Sequence, residues 1–161
     1  MKNLIVIRHA KSSWDAPLKD IDRPLDNRGI KDAHRIALRA VKHLPKTFLM
    51  FSSTAKRASE TAIIFAQNFL YPVGNIVFKE ELYTFDENSL ERVVKSFDNK
   101  YDNVILFGHN EAITNFVNKF GDIYIENVPT SGFVSLKFDS DNWQFIDRGR
   151  TIKTLFPKDL K

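Results

Sequence analysis

Near its N-terminus the chain reads LIVIRH over residues 4–9, an apolar run that ends in an arginine and a histidine. Its first four residues are apolar and three of them are β-branched, which predicts a short buried strand over residues 3–7. A second strand-sized apolar run, VILF at residues 104–107, ends in Gly108 and His109. Two runs of this kind, each followed at once by a histidine, indicate two central strands of one sheet.

Helical and strand patterns alternate along the rest of the chain, and we interpret residues 1–161 as a single domain. The predicted helices cover residues 27–44, 54–69, 88–98 and 111–119, and the further strands cover 47–51, 75–78, 102–107, 133–138 and 142–148. Such alternation is typical of an α/β protein, a three-layer α/β/α sandwich around a mainly parallel sheet. The polar residues 139–141 read as a hairpin turn, so the last two strands add an antiparallel edge.

Composition excludes several classes of protein. The chain has 43% hydrophobic and 27% charged residues, as in a folded domain, and it lacks the run of about 18 apolar residues that a membrane span needs. It contains no cysteine, which excludes disulfides, thiolate metal sites and cysteine nucleophiles. The net charge is +4, but the basic residues are scattered, so we expect no nucleic-acid or membrane partner. A charged N-terminus without a signal-peptide pattern predicts a cytoplasmic protein.

The two histidines that follow strands mark the expected site. In open α/β sheets ligands bind beyond the carboxyl ends of the strands, where Arg8, His9 and His109 are predicted to lie. A second signal comes from the helix after residue 54, which we expect Thr54 to cap. Arg57 then lies in the first turn, where a cation opposes the helix dipole unless an anion binds there as well.

These four side chains together predict a phosphate pocket that contains a nucleophile. A neutral imidazole can attack phosphorus, and neighbouring arginines favour the neutral form. The arginines and the second histidine would then stabilise the transferring phosphoryl group, and no metal or cofactor is needed. The acidic pair Asp20 and Asp22 is a weaker, alternative hint of a metal site, because it lies in a loop.

Three segments resemble the motifs of the histidine phosphatase (phosphoglycerate mutase-like) superfamily. They are IRHAKS at residues 7–12, SSTAKRASETA at 52–62 and GHN at 108–110. Within the superfamily the sequence is most similar to the SixA-type phosphohistidine phosphatases. The segments that carry this similarity are DRPL at residues 22–25, ELY at 81–83 and PTSG at 129–132. The resemblance implies the phosphoglycerate mutase-like fold and a protein that needs no cofactor.

The same resemblance implies a role for each pocket residue. His9 would be the nucleophile that becomes phosphorylated, and Arg8, Arg57 and His109 would complete the pocket. Ser12, in the first motif, is a further predicted phosphate ligand. The glutamate general acid of many superfamily members has no clear counterpart here, because Thr84 lies at the corresponding place. Glu81 and Asp86 are therefore the candidate general acids.

The predicted function is a metal-independent phosphatase that acts through a phosphohistidine enzyme intermediate, with phosphohistidine in proteins as substrate. The partner would then be a phosphorylated protein of the phosphotransfer type. Two alternatives stay open: a phosphatase of small phosphate esters, and a phosphoprotein-binding module without turnover. The short segments after the second and third motifs predict an open pocket without a lid, unless the polar loop 12–27 folds over it.

Overall fold

The computed structural model describes residues 1–160 and contains one six-stranded sheet between two helical layers. The strands are β1 (Lys2–Arg8), β2 (Leu49–Ser53), β3 (Val77–Lys79), β4 (Asn103–Gly108), β5 (Phe133–Phe138) and β6 (Arg150–Leu155). The helices are α1 (Asn27–Ala40), α2 (Lys56–Asn68), α3 (Glu87–Lys95) and α4 (Ala112–Phe120). The predicted three-layer α/β/α sandwich is confirmed.

The strand order β3-β2-β4-β1-β5-β6 places β1 and β4 side by side in the middle of the sheet. Pairing is parallel from β3 to β1, whereas β5 runs antiparallel to both β1 and β6. Parallel neighbours end at the same edge of the sheet, and the register aligns Arg8 with Gly108. The segments that follow β1 and β4 therefore start next to each other.

The alternation of side chains along β1 builds two separate cores. Leu4 and Val6 belong to the core under α3 and α4, while Ile5 and Ile7 belong to the core under α1 and α2. β4 is buried on both faces in the same way. Two-sided burial explains why both strands read as continuous apolar runs instead of an alternating pattern.

The prediction of a last strand over residues 142–148 is wrong. Residues 143–145 form a 3-10 turn, and the edge strand β6 starts only at Arg150. The backbone N–H of Trp143 donates to the Asn99 side chain at 2.8 Å, and its indole N–H donates to the Tyr101 carbonyl at 2.7 Å. These bonds hold Trp143 fully buried in the core, so this segment is not free to pair with β5.

The C-terminal segment is docked on the domain. Residues 150–155 form β6, and the turn at Pro157–Leu160 packs near α1, where the Arg35 guanidinium donates to the Leu160 carbonyl at 2.9 Å. No helix within residues 1–160 combines the length and the apolar character that a membrane span requires.

Candidate active site

The structure brings the two strand-end histidines together. The His9 backbone N–H donates to the Gly108 carbonyl at 3.1 Å, and the imidazole centroids of His9 and His109 lie 5.2 Å apart. Both side chains are buried, with 9% and 1% of the residue surface exposed. The site therefore lies at the centre of the sheet's carboxyl edge, where the topology predicts a ligand.

The His9 imidazole has a defined tautomer. Its Nδ1 lies 2.7 Å from the carbonyl oxygen of Ala10, which can only accept a hydrogen bond. Nδ1 therefore carries the ring proton, and Nε2 keeps its lone pair. Burial, together with the charges of Arg57, Arg8 and Arg23, lowers the pKa of His9 to about 4, although the bond to Ala10 opposes the shift. At neutral pH His9 is thus an uncharged imidazole with a nucleophilic Nε2.

A buried serine, Ser53, orients His109. The Ser53 hydroxyl lies 2.8 Å from Nε2 of His109 and accepts the backbone N–H of Ala55 at 3.1 Å. Among residues 1–160, Nε2 is the acceptor within reach of the serine proton, and with that proton donated to Nε2 the ring proton of His109 lies on Nδ1. That nitrogen is buried and has no partner among residues 1–160. Burial and the charges of His9 and Arg57 lower the pKa of His109 to about 3, so it is neutral as well.

The two predicted arginines reach the site with unused donors. Arg8 donates from Nη1 to the Val128 carbonyl at 3.0 Å, and Arg57 donates from both terminal nitrogens to Asp20. In each side chain the Nε–H is buried and meets no acceptor within the described chain. A buried donor without an acceptor costs about 1–3 kcal/mol, so two of them beside neutral histidines indicate a site built for an anion.

Arg57 comes from the first turn of α2, as predicted, but the cap of that helix differs from the prediction. The N-cap is Ala55 and not Thr54, because Ala55 is still extended and the helix starts at Lys56. Alanine has no side-chain acceptor, so the first amides of α2 remain open to an anion. Thr61, one turn further, accepts the Ala10 backbone N–H at 2.9 Å and fixes the loop after His9 to α2.

Three residues that the sequence did not single out as members of the site also lie in it. The Asp20 carboxylate accepts from Arg57 at 2.9 Å, from Arg23 at 3.3 Å and from the Tyr83 hydroxyl. Arg23 is buried, and its guanidinium carbon lies 3.2 Å from the ring centroid of the exposed Trp14. Tyr83 packs edge-on against His109, with centroids 5.3 Å apart. The contacts of Asp20 with Arg57 and Tyr83 and of Tyr83 with His109 join segments distant in sequence, so no spacing rule could reveal them.

The loop that carries Asp20 and Arg23 folds against the site. Asp20 starts a 3-10 turn at residues 20–22, and both its backbone carbonyl and its carboxylate contact Arg57. An open pocket was predicted unless the polar loop 12–27 folds over it, and this loop does contact the pocket at Arg57.

The remaining predicted site residues lie in different surroundings. The Ser12 hydroxyl accepts a hydrogen bond from the Arg23 guanidinium, which places it beside the pocket. Asp86 caps α3, where its carboxylate accepts the Ser89 N–H at 3.0 Å. Glu81 is exposed and lines a shallow cavity with Arg92 and Ser96. The residues of this segment that pack against His109 are Tyr83 and Phe85, and not Glu81 or Asp86.

The acidic pair in the loop does not form a metal-binding cluster. Asp20 is committed to two arginines and a tyrosine, and Asp22 is exposed. Within residues 1–160, no three His, Asp or Glu side chains are grouped so that they could hold a metal ion. The donors that surround His9 are instead cationic, which fits an anionic ligand.

Comparison with known proteins agrees with this geometry. The model of the histidine phosphatase superfamily (branch 1) matches residues 4–86, more than half of the chain. The chain belongs to the histidine phosphatase superfamily. An uncharacterised chloroplast protein of Arabidopsis thaliana is 31% identical over 122 residues, which cover 69% of this chain and 55% of the relative. This histidine phosphatase domain therefore spans about half the length of that relative.

Solved structures of the superfamily share the complete fold. A candidate phosphohistidine phosphatase SixA from Agrobacterium tumefaciens is 27% identical with a TM-score of 0.76, and the match covers 96% of this chain and 97% of that one. A SixA complex with tungstate has a TM-score of 0.82 at 20% identity and covers 99% of both chains. A mycobacterial glucosyl-3-phosphoglycerate phosphatase reaches 0.71 at 14% identity, over 95% of this chain and 98% of that one.

Proposed function

We propose that this domain is a metal-independent phosphatase that transfers a phosphoryl group to His9 and hydrolyses the resulting phosphohistidine. The observation that carries the proposal is the state of His9, whose proton is fixed on Nδ1 and whose Nε2 is neutral and unprotonated. Two buried arginine Nε–H donors that have no partner among residues 1–160 lie in the same site. A nucleophile beside unused anion-binding donors is the arrangement that phosphoryl transfer requires.

The first step forms the bond between Nε2 of His9 and phosphorus as the bond to the leaving group breaks. The electron pair of that bond stays with the leaving group, which takes up a proton. In the second step water attacks phosphorus, the nitrogen–phosphorus bond breaks, and Nε2 regains its lone pair as phosphate leaves. The proton of the attacking water passes to solvent, and His9 returns to its starting tautomer.

The cations of the site act on the charge of the transferring group. Arg8 and Arg57 offer Nε–H donors, His109 offers Nδ1–H, and Arg57 comes from the first turn of α2. Because these donors are held by the fold, they need no reorganisation during the reaction. One preorganised donor of this kind contributes about 2.7–4 kcal/mol to transition-state stabilisation.

Phosphohistidine in a protein is the substrate that we favour. Its leaving imidazole accepts a proton readily, so the reaction needs no strong general acid, and neither Glu81 nor Asp86 packs against His109. The similarity to SixA structures supports the same substrate class. Phosphate esters are the second candidate, supported by the similarity to a glucosyl-3-phosphoglycerate phosphatase. Glu81 remains the candidate acid for an ester substrate.

A substrate panel tests the proposal. Phosphohistidine protein, a sugar phosphate and an aryl phosphate are each assayed with and without EDTA. We expect the fastest turnover on phosphohistidine, no loss in EDTA, and a phosphoryl group that can be trapped on His9. The variant His9→Ala should lose both turnover and trapping, whereas His34→Ala, which alters an exposed histidine on α1, should retain them.

The outcomes separate the alternatives. Faster turnover of the sugar phosphate would favour the ester phosphatase, and loss of activity in EDTA with recovery on addition of a divalent ion would contradict a metal-independent reaction. Binding of the phosphorylated protein without turnover would favour the phosphoprotein-binding module. Trapping of phosphate on another residue would move the nucleophile away from His9.

A further inference from the structure

We propose that Asp20 is a positioning residue, which holds the Arg57 guanidinium through its two terminal nitrogens so that the Nε–H is presented to the phosphoryl group. This inference rests on the proposed function, because it assigns a task to Asp20 within that phosphate site. It gives Asp20 a part in catalysis, whereas the motifs quoted from the loop between β1 and α1, at residues 7–12 and 22–25, do not include this residue.

The first support is the division of the Arg57 donors. A guanidinium has five N–H groups, and Asp20 takes one from each terminal nitrogen. Nη1 donates to the Asp20 carbonyl at 2.7 Å and Nη2 donates to its carboxylate at 2.9 Å. The Nε–H is buried and receives no acceptor from the described residues. The two terminal nitrogens of Arg57 are thus held by Asp20, and the Nε–H is the donor left for a phosphoryl oxygen.

The second support is that Asp20 is itself held from several sides. The Tyr83 hydroxyl donates to the same carboxylate oxygen as Arg57, and Arg23 donates to the other at 3.3 Å. Tyr83 also packs against His109, and the Arg57 guanidinium carbon lies 5.9 Å from the Tyr83 ring centroid. Asp20 therefore couples the loop, α2 and the segment beside His109, which gives Arg57 a single orientation.

The electrostatics argue against a role for Asp20 as the missing general acid. Although partial burial alone would raise its pKa, the hydrogen bonds from Tyr83 and Arg57 lower the pKa to about 2. The carboxyl group is thus ionised at neutral pH and has no proton to give. An ionised group that accepts from two arginines is suited to orient these cations and to offset part of their charge.

A competing account is that Asp20 occupies the phosphate position and must leave before a substrate binds. The two roles predict opposite changes in phosphate affinity when Asp20 is removed. If Asp20 positions Arg57, its removal weakens the binding of inorganic phosphate, because Arg57 becomes free to rotate. If Asp20 competes with phosphate, its removal strengthens that binding.

The experiment compares Asp20→Ala and Asp20→Asn with the matched control Asp22→Asn, two residues away in the same turn and exposed. The affinity for inorganic phosphate is measured by calorimetry, and kcat and KM are measured with an aryl phosphate. We expect Asp20→Ala to lower kcat/KM by about 10- to 100-fold, the scale of a misplaced catalytic contact. Asp20→Asn, which keeps one acceptor oxygen, should lose less, and Asp22→Asn should match the wild type.

A double-mutant cycle shows whether Asp20 acts through Arg57. In an Arg57→Ala background the further change Asp20→Ala should have little additional effect on phosphate affinity, because no guanidinium is left to orient. Tighter phosphate binding by Asp20→Ala would overturn the proposal, as would additive losses or an unchanged kcat/KM in the single variant. If the wild type neither binds phosphate nor hydrolyses the aryl phosphate, the proposed function fails together with this inference. If the wild type does both, the variants test the role of Asp20 alone.

Discussion

At the scale of single residues, the site depends on which nitrogen of each imidazole carries the proton. In His9 the Ala10 carbonyl fixes the proton on Nδ1, because a carbonyl oxygen can only accept a hydrogen bond. For His109 the choice rests on Ser53, whose hydroxyl can donate or accept. The serine oxygen can accept two hydrogen bonds, so the Ala55 N–H does not by itself fix the direction of this contact. Among residues 1–160, Nε2 of His109 is the acceptor within reach of the serine proton, and donation to it leaves the ring proton on Nδ1. Ser53 thus determines what His109 offers to a phosphoryl group.

Substitution of Ser53 by alanine should therefore lower turnover without unfolding the protein. Without the hydroxyl, His109 can adopt either neutral tautomer, and in one of them Nδ1 has no proton to donate. We expect kcat to fall by about 10-fold, less than the 10²–10³ for loss of a whole donor. Nitrogen chemical shifts of the His109 ring should show mixed tautomers. The matched control is Ser52→Ala, a neighbouring buried serine that bonds only the Ser53 carbonyl. Unchanged tautomer and kcat in Ser53→Ala would contradict this role.

Some residues of the site can be predicted from the sequence and others cannot. His9 and His109 were predictable, because strand ends of a parallel sheet meet at one edge whatever the loops do. Arg57 was predictable because a cation in a first helical turn is unfavourable without a partner. Asp20 and Ser53 were not, because each acts through a side chain far away in sequence. Their neighbours are known only once the sheet order is known.

At the scale of elements, the start of α1 holds the loop that follows His9. Asp26 caps this helix by accepting the Gly29 N–H at 2.7 Å, and Gly29 packs directly on Lys11. A Cβ atom at position 29 would lie 2.1 Å from the Lys11 carbonyl oxygen, which is backbone and cannot rotate away. The absence of a side chain at this position therefore lets α1 approach the segment between His9 and Ser12.

Gly29→Ala should thus impair both stability and turnover, although alanine is normally the better helix former. Either α1 or the loop after His9 must move, and overpacking of this kind costs about 1–3 kcal/mol. We expect a lower melting temperature and a lower kcat with aryl phosphate. Gly74→Ala is the matched control, because a Cβ there meets no atom within 4 Å. A variant Gly29→Ala with the stability and kcat of the wild type would show that the close approach has no consequence.

The last strand shows where sequence patterns mislead at this scale. Residues 142–148 contain Trp143 and Ile146, both buried, and this apolar content favoured a strand. Their burial comes instead from packing in the core under α3 and α4. The strand β6 lies at the sheet edge, with Ile152 half exposed and the basic Lys153 between its two apolar residues, Ile152 and Leu155. Because an edge strand is less buried, its sequence carries a weaker pattern of apolar residues. Such a strand is therefore harder to locate than β1 or β4.

At the scale of the whole molecule, the fold holds two uncharged histidines in its central layer, and this makes its stability depend on pH. Unfolded, both rings titrate near pH 6.5, whereas in the folded protein the pKa falls to about 4 for His9 and about 3 for His109. Between these limits the unfolded chain binds more protons than the folded one. The free energy of unfolding is therefore highest above pH 6.5 and decreases as the pH falls toward 4.

The decrease should reach roughly 1.4 kcal/mol per pH unit for each histidine, because one pKa unit corresponds to 1.36 kcal/mol. Asp20 affects the free energy of unfolding in a different pH range. Its pKa of about 2 lies below the ordinary 3.8, so its stabilisation is lost only as the pH falls from 3.8 to about 2. Urea unfolding at several pH values between 4.5 and 7 measures the slope. The double variant His9→Asn with His109→Asn should flatten it, and His34→Asn, on the exposed face of α1, should not. An equal slope in the double variant and the wild type would contradict the conclusion that the fold lowers the pKa of these two histidines.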